Sequence, residues 1–442
     1  MKCNNYCTHE QHASDTAGSE YRLKRFKRLG ERMRTKQWAA GAVVIALSAA
    51  CAPDTAWQGT ITDSAGVTIV ANTHQGLWAE GERWTLQEDL RIGVQDGDPD
   101  YMFGQIGWLA VGAGSIYVLD AQAQNIKRYA MDGTYMSTFG GPGGGPGELG
   151  AGAVFMLLGA GDTLIVPDMQ NQRLNFYSAD GAALGSSPLL LTEGLPLAWR
   201  GTAGGVLAKQ VRPLDLPNQP ARDSMDAVLA LGGDGSVQDT LLRIPSGGTL
   251  SFGGATPRIE IYAAEPVWNI TNDLDLLYGM NNDYRIGRYH EGRLTRVFTM
   301  PFIPRPVSEA DRNAVMDFLR TAWRDAGLPP AAIQQAQSLV HFGEWIQAFA
   351  NLQEGPDGTI WVQHVQSISD LSEEERATFN LLEDSGAPNW DVFEADGRYL
   401  GIVTMPARFS PRTFVGDDVY GVWRDDLDVQ YVVRMRVMRG VG

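Results

Sequence analysis

The chain has 442 residues, 44% of them hydrophobic and 20% charged, with a formal net charge of -16. That is enough apolar material for a large core. It is the wrong charge balance for a nucleic-acid surface, whose phosphates must be met by clustered Lys and Arg. The acidity is spread along the chain, as in a solvated surface.

The first feature in chain order is "MRTKQWAAGAVVIALSAAC", residues 33–51. Arg34 and Lys36 precede an apolar core from Ala39 to Ala50. The core is shorter than the roughly 20 apolar residues of a membrane-spanning helix and reads as a secretory signal over 33–50. Ser48, Ala49 and Ala50 lead into Cys51, which resembles a bacterial lipobox with Cys51 as the lipidated first residue of the mature protein. The usual leucine position holds Ser48, with Leu47 one place earlier. Residues 1–32 are polar and basic and stand ahead of a complete signal, as a leader extension from a start codon placed too early would. Cys3, Cys7, His9 and His12 in that leader are zinc-ligand types, but their spacing matches no familiar finger. Signal removal would leave Cys51 as the one cysteine of the three. The folded part, expected over 60–442 after a tether at 51–59, is then held by its core and not by disulfides.

Beyond residue 100 the chain repeats. "SIYVLDAQAQNIKRYAMDG" (115–133) and "TLIVPDMQNQRLNFYSADG" (163–181) align at an offset of 48 residues. Asp120 falls on Asp168, Tyr129 on Tyr177, and Asp132-Gly133 on Asp180-Gly181. Each unit reads as strand, Asp-bearing loop, strand, Asp-Gly turn, strand. Asp-Gly supplies the positive φ that tight hairpins want. Weaker copies carry turns at Asp234-Gly235, Glu291-Gly292 and Asp396-Gly397. Four short strands at a period of 40–50 residues signal a β-propeller. Five units lie between about 101 and 406. A sixth can be assembled from both chain ends, with strands at 66–73 and 83–93 joining strands at 419–425 and 430–437, which would remove the open sheet edges. The expected fold is therefore all-β: a six-bladed propeller of four-stranded blades, closed by pairing N- and C-terminal strands, with a small helical insertion.

The segments "DSAGVTIV", "IYVLD…IKRYAMDG" with its copy, "GGPGGGPGEL" and "VWRDDLDVQYVVRMRV" resemble the bacterial six-bladed propellers of the NHL-repeat-like and TolB-like kind, over about 60–442. The resemblance implies fold and no particular activity.

One stretch argues for something else. Gly145 to Gly150 matches G-x-G-x-x-G, with Asp168 about 20 residues on, as in dinucleotide sites. The repeat register speaks against it. Shifted by one period, Gly145-Pro-Gly-Glu148-Leu149 falls on Gly97-Asp-Pro-Asp100-Tyr101. A phosphate cradle would not recur at the blade period. The stretch reads as a crossing between blades.

With a blade's strands lettered a (at the channel) to d (outermost), b–c loops and d-to-a crossings share one face. The c–d turns are tight. The long segments 212–226, 246–264, 302–342 and 366–389 all fall on the b–c face. Segment 302–342 reads as helical, capped by Ser308 and ended at Gly327. Segment 366–389 is rich in acids. Elaboration of one face marks the expected binding face. Its candidate binding residues are Asp120, Glu148, Asp168, Arg212, Asp283, Arg285 and His364. Lys209, Gln210, Asn282 and Gln363 stand beside them. For Asp120 and Asp168 a recurring loop cap to backbone amides is the plainer reading. Tyr284 is expected to pack between blades.

No G-x-S-x-G elbow occurs, and His74, His290, His341 and His364 form no H-x-x-x-H pair. The expectation is a membrane-tethered binding module for a ligand, glycan or protein partner, with no cofactor and no nucleic acid. The alternative is a calcium-type lactonase, hydrolase or lyase at the channel mouth, built from Glu, Asn and Asp of several blades.

Overall fold

The computed structural model describes residues 57–440 apart from 190, 203–204, 214–224, 252–257 and 378–385. The signal segment, Cys51 and the middle of the 212–226 loop lie outside the described residues.

The chain starts with β1 (Thr60–Ser64), β2 (Val67–Ala71) and β3 (Thr85–Ile92). The first blade is β4 (Ile106–Val111), β5 (Ile116–Asp120), β6 (Asn125–Tyr129) and β7 (Tyr135–Gly140). The second is β8 (Leu157–Leu158), β9 (Leu164–Asp168), β10 (Arg173–Tyr177) and β11 (Ala183–Pro188). The third is β12 (Leu195–Gly201), β13 (Leu207–Arg212), β14 (Met225–Leu231) and β15 (Val237–Pro245). Two short strands follow, β16 (Leu250–Ser251) and β17 (Arg258–Ile261). The fourth blade is β18 (Pro266–Ile270), β19 (Leu276–Met280), β20 (Arg285–His290) and β21 (Arg293–Thr299). An insertion then carries β22 (Arg305–Pro306), α1 (Glu309–Asp325), α2 (Pro330–Leu339), β23 (Val340–Phe342) and β24 (Trp345–Ile346). The fifth blade is β25 (Asn351–Glu354), β26 (Ile360–Val365), β27 (Gly386–Phe393) and β28 (Tyr399–Thr404), with α3 (Glu373–Ala377) in its b–c loop. Last come β29 (Phe409–Val415), β30 (Asp418–Arg424) and β31 (Gln430–Met438).

Each blade is an antiparallel sheet in sequence order, and the sixth runs β29-β30-β31-β3. Closure therefore uses three C-terminal strands and one N-terminal strand, not two of each. Val67–Ala71 belongs elsewhere. β2 runs parallel to β21, and the β1–β2 hairpin extends the outer edge of the fourth blade. Asn72 fastens it, donating to the carbonyls of Thr299 (3.2 Å) and Gly397 (2.9 Å) and accepting from the Tyr399 amide (2.8 Å). A paired edge cannot recruit another strand.

Six apolar clusters lie between successive blades. One joins Ile92, Val422 and Val432 to Leu109 and Val118 across the closure. Another joins Leu277, Ile286 and Phe298 to Leu352, Val362 and Phe393 between the fourth and fifth blades. The ring is thus held by blade-against-blade burial.

The acidic-Gly turns explain the repeat. Gly133, Gly181, Gly235, Gly292 and Gly397 all have positive φ, between 73° and 91°. Four of the five are preceded by Asp, and three of those carboxylates accept the amide two residues on, at Thr134, Ser236 and Arg398. A bulge in the c–d pairing recurs near each turn. A side chain at these glycines would also strike the preceding blade: Leu90 and Ile92 at Gly133, Phe139 at Gly181, Leu174 at Gly235, the Leu241 carbonyl at Gly292, and Phe298 at Gly397. Glycine is thus selected twice, by backbone conformation and by close approach.

The elaboration sits on the b–c side as expected. Ser308 caps α1, its hydroxyl accepting the Asp311 amide at 3.1 Å, and Gly327 ends that turn with φ 76°. Asp311 is buried and accepts Ser308 Oγ at 2.7 Å together with the Ser367 and Ser369 hydroxyls, pinning the helix to the fifth blade. β17 pairs with β16 and runs parallel to β23, while β22 pairs with β24. Among the described residues no helix is long and apolar enough to cross a membrane.

The double constraint on the turn glycines is testable. Gly181→Ala should cost about 2–3 kcal/mol in denaturant unfolding, since it adds a clash to the backbone strain. Gly416→Ala, with φ 60° but open space around it, should cost about 1 kcal/mol. Equal losses would remove the inter-blade contact from the explanation.

Candidate functional site

The six inner strands surround a central cavity of about 300 Å³. Its walls are residues 108–111, 155–158, 199–202, 269–270 and 272, 351–354 and 411–415. These are the ends of the inner strands nearest the a–b turns. The cavity is therefore built from the half of the ring away from the elaborated face. The next-to-last residues of the inner strands are Ala110, Leu157, Arg200, Asn269, Gln353 and Phe414, and all six line it.

Aromatic rings form part of the wall. Trp108 and Phe155 lie with ring centroids 4.0 Å apart. The Arg412 guanidinium carbon is 5.3 Å from the Trp108 ring centroid, within cation–π reach. Phe414 leans on Trp361 at 5.0 Å. Amides add polar atoms. Asn269 donates to the Leu352 carbonyl (3.0 Å), and Asn351 accepts the Leu352 amide (2.9 Å).

Three lining side chains are ionisable at neutral pH: Arg200, Arg412 and Glu354. Glu354 accepts the Asn272 amide at 2.6 Å, and burial outweighs that bond to raise its pKa. Arg200 donates to the Trp199 carbonyl at 2.9 Å and lies 5.5 Å from the Trp268 ring centroid. Burial draws its pKa down to about 10. Among the described residues no carboxylate stands within ion-pair distance of it.

The residues singled out from the sequence lie elsewhere, and none lines the cavity. Asp120 accepts the amides of Gly104 (2.8 Å), Gln105 (3.2 Å), Gln122 (3.1 Å) and Ala123 (2.9 Å). Asp168 accepts those of Gly150 (2.8 Å) and Asn171 (3.0 Å) and the Asn171 side chain (2.8 Å). Both are buried loop caps. Glu148 accepts the Gly145 amide at 2.6 Å, and Arg173 donates to the carbonyls of Gly144, Gly145 and Glu148. The glycine-rich stretch is a tied crossing that sinks Leu149 into the core between the first two blades.

Arg212 meets the buried Asp226 through Nε (3.0 Å) and Nη2 (3.1 Å). Asp226 also accepts Gln210 (2.7 Å) and Ser246 (2.6 Å), and Gln210 accepts the Trp268 indole (2.6 Å). Lys209 pairs with Glu193. Asp283 and Arg285 are exposed at the b–c turn of the fourth blade.

His364 is held by a partner the sequence did not reveal. Its Nε2 lies 2.9 Å from Oδ2 of buried Asp391. The same carboxylate accepts the hydroxyls of Tyr284 (2.7 Å) and Tyr399 (2.9 Å). Burial drives both phenols' pKa values up, so both stay protonated donors. Tyr284 comes from the fourth blade, so this group bolts two blades together.

No hydrogen bond or ion pair joins any two of the seven candidate residues among the described residues. Nor do any three His, Cys, Asp or Glu side chains there gather closely enough to hold a metal ion.

No protein-family model and no curated protein matches the chain. Solved structures that resemble it include a protein of Bacteroides fragilis described as exported, at 11% identity, covering 84% of this chain and 100% of that one with a TM-score of 0.49. A DUF4221-family member from Bacteroides vulgatus shows 11% identity, coverage of 82% and 100%, and a TM-score of 0.47. Virginiamycin B lyase from Staphylococcus aureus shows 12% identity, coverage of 80% and 100%, and a TM-score of 0.39. The six-bladed architecture itself rests on the strand pairing.

Arg200 and Trp108 escaped the sequence reading because each is ordinary in its own strand. The available signal was register: a charged residue in an inner strand whose counterparts are Ala110 and Leu157.

The His364 contact sets a pH dependence. Burial alone would lower the imidazole pKa, but the hydrogen bond and charge of Asp391 outweigh it, and the net shift is upward. A raised folded-state pKa stabilises below the unfolded value of about 6.5, and the contribution disappears as pH rises through the folded value. His364→Gln should therefore fall short of the wild type in thermal stability at pH 5.5, with the gap narrowing by pH 8. A gap that widens with pH would contradict this assignment.

Proposed function

We propose that the protein is a binding module, exported and tethered to a membrane, whose small polar ligand seats in the central channel. The observation that carries this is the cavity itself. All six blades contribute to it, and its volume is at the lower end of ligand pockets, which run from about 300 to 1,000 Å³. Its lining has the usual character of such pockets, with aromatic rings for contact area and a few amide and charged groups for orientation. Asn269, Asn351, Glu354 and Arg200 are each hydrogen-bonded to backbone groups, which helps to hold the lining in place. The b–c face retains its loops and helices for contacts with larger partners, but its candidate residues are committed to structural bonds or scattered over separate blades.

The address rests on the sequence. A basic stretch, a short apolar core and small residues before Cys51 make a lipoprotein-type signal. Mass spectrometry of the mature N-terminus checks it, with a lipidated Cys51 expected; an unmodified thiol or a start elsewhere would refute the tether.

Ligand seating is tested by Trp108→Ala. Trp108 lines the cavity, and loss of an aromatic contact costs about 1 kcal/mol. The variant should bind a ligand found by thermal-shift screening several-fold more weakly in calorimetry. Asp120→Asn, a loop-cap change outside the cavity, should lower stability while leaving affinity for the same ligand unchanged. The reverse pattern would place the site on the b–c face.

A further inference from the structure

We infer that the channel ligand carries an oxyanion, a carboxylate or phosphate group on a compact ring compound, and that Arg200 is the residue that receives it. This rests on the channel being the ligand site. The argument begins with what Arg200 lacks. A guanidinium carries five N–H donors in a fixed fork. One is given to the Trp199 carbonyl, the Trp268 ring sits at one side, and no carboxylate is in reach among the described residues. Burying a charge without a partner is costly, and charged side chains inside proteins are normally paired. Arg200 is half-buried. Among the other well-covered cations Lys209 meets Glu193, Arg212 meets Asp226 and Arg424 meets Asp428 at 2.9 Å, while Lys127 donates to the carbonyls of Pro99 and Met102, both at 2.6 Å. Arg200 has one carbonyl acceptor and no carboxylate among the described residues, and it lines a channel where an outside group can supply the missing charge.

The surroundings fit. Arg200 shares its tier of the channel with the amides Asn269 and Gln353 and the ring of Phe414. Amides bond hydroxyls or ring heteroatoms, and rings stack on flat or apolar faces. The ionisable lining groups sum to a single positive charge, from Arg200 and Arg412 against Glu354, in a chain whose net charge is -16. Guanidinium groups bind carboxylate and phosphate through paired, charge-assisted bonds. A cavity of about 300 Å³ lies at the lower end of ligand-pocket volumes, which suits an occupant the size of a single ring with its substituents.

The experiment is calorimetry with glucuronate, glucose 6-phosphate, benzoate and neutral glucose, on wild type, Arg200→Gln and Trp108→Ala. At least one oxyanion should bind wild type ten-fold or more tightly than glucose. Arg200→Gln should weaken that oxyanion by about 10- to 100-fold, the range for losing a charge-assisted bond, and leave glucose unaffected. A structural check accompanies it. Inorganic phosphate should raise the wild-type melting temperature more than chloride at equal ionic strength, and this difference should vanish in Arg200→Gln. Because Gln removes an unpaired charge, that variant should fold at least as stably as wild type. If glucose binds as well as any oxyanion and depends on Trp108, the oxyanion inference fails while the channel site stands. If oxyanions bind but ignore both substitutions, the channel site fails. If no compound binds and phosphate gives no shift, both fail.

Discussion

Five times around the ring, the turn joining the two outer strands of a blade lays a glycine against the blade before it. Positive φ and close approach coincide there, and no other residue meets both demands at low cost. Five of the six apolar clusters lie between blades that these turns bring together, and the cluster between the fifth and sixth blades forms without one. Everything inside the ring follows from that spacing, because the inner strands are held at whatever separation the packing between blades dictates. The cavity is what remains when six sheets pack at their faces and cannot also fill the axis.

The same logic says what was legible in the sequence. Asp-Gly turns and the register of Asp120 with Asp168 reveal blades because they are local and repeated, and the physics that demands them acts within a few residues. Ring closure was harder. Val67–Ala71 and Thr85–Ile92 are both short apolar-alternating segments, and nothing local distinguishes a strand that completes a blade from one that covers an edge. The distinction is made at long range, by Asn72 reaching Thr299 and Gly397. The site was least legible. Loop length drew attention to the b–c face, yet the cavity is assembled from six strand ends that are far apart in sequence, from residues individually unremarkable. Only the ring puts Arg200 in one channel with Asn269 and Gln353.

Several polar residues near strand ends turned out to be spent inside the fold. Asp120 and Asp168 satisfy amides that a loop leaving a strand would otherwise bury unpaired. Arg212 neutralises Asp226, which in turn orders Gln210 and Trp268. Asp391 holds His364 and two tyrosines. In each case a buried charge is surrounded by donors or an opposite charge until nothing is left over for an outside molecule. A side chain's type is therefore a weak guide to function in this chain. What distinguishes a group able to bind is whether the fold has already answered it.

By that criterion the channel differs from the rest of the interior. Its walls are rigid strands, so they cannot rearrange to quench an unmatched charge as a loop could, and its aromatic faces offer area without flexibility. An acidic exterior keeps anions from collecting on the surface in general, while the local charge inside the ring has the opposite sign. An anion thus gains from entering only if it is small enough to reach Arg200 and shaped to meet the rings and amides around it. Selectivity of this kind needs no moving part. It follows from placing a cation that has no carboxylate partner among the described residues where access is limited by the packing that built the ring.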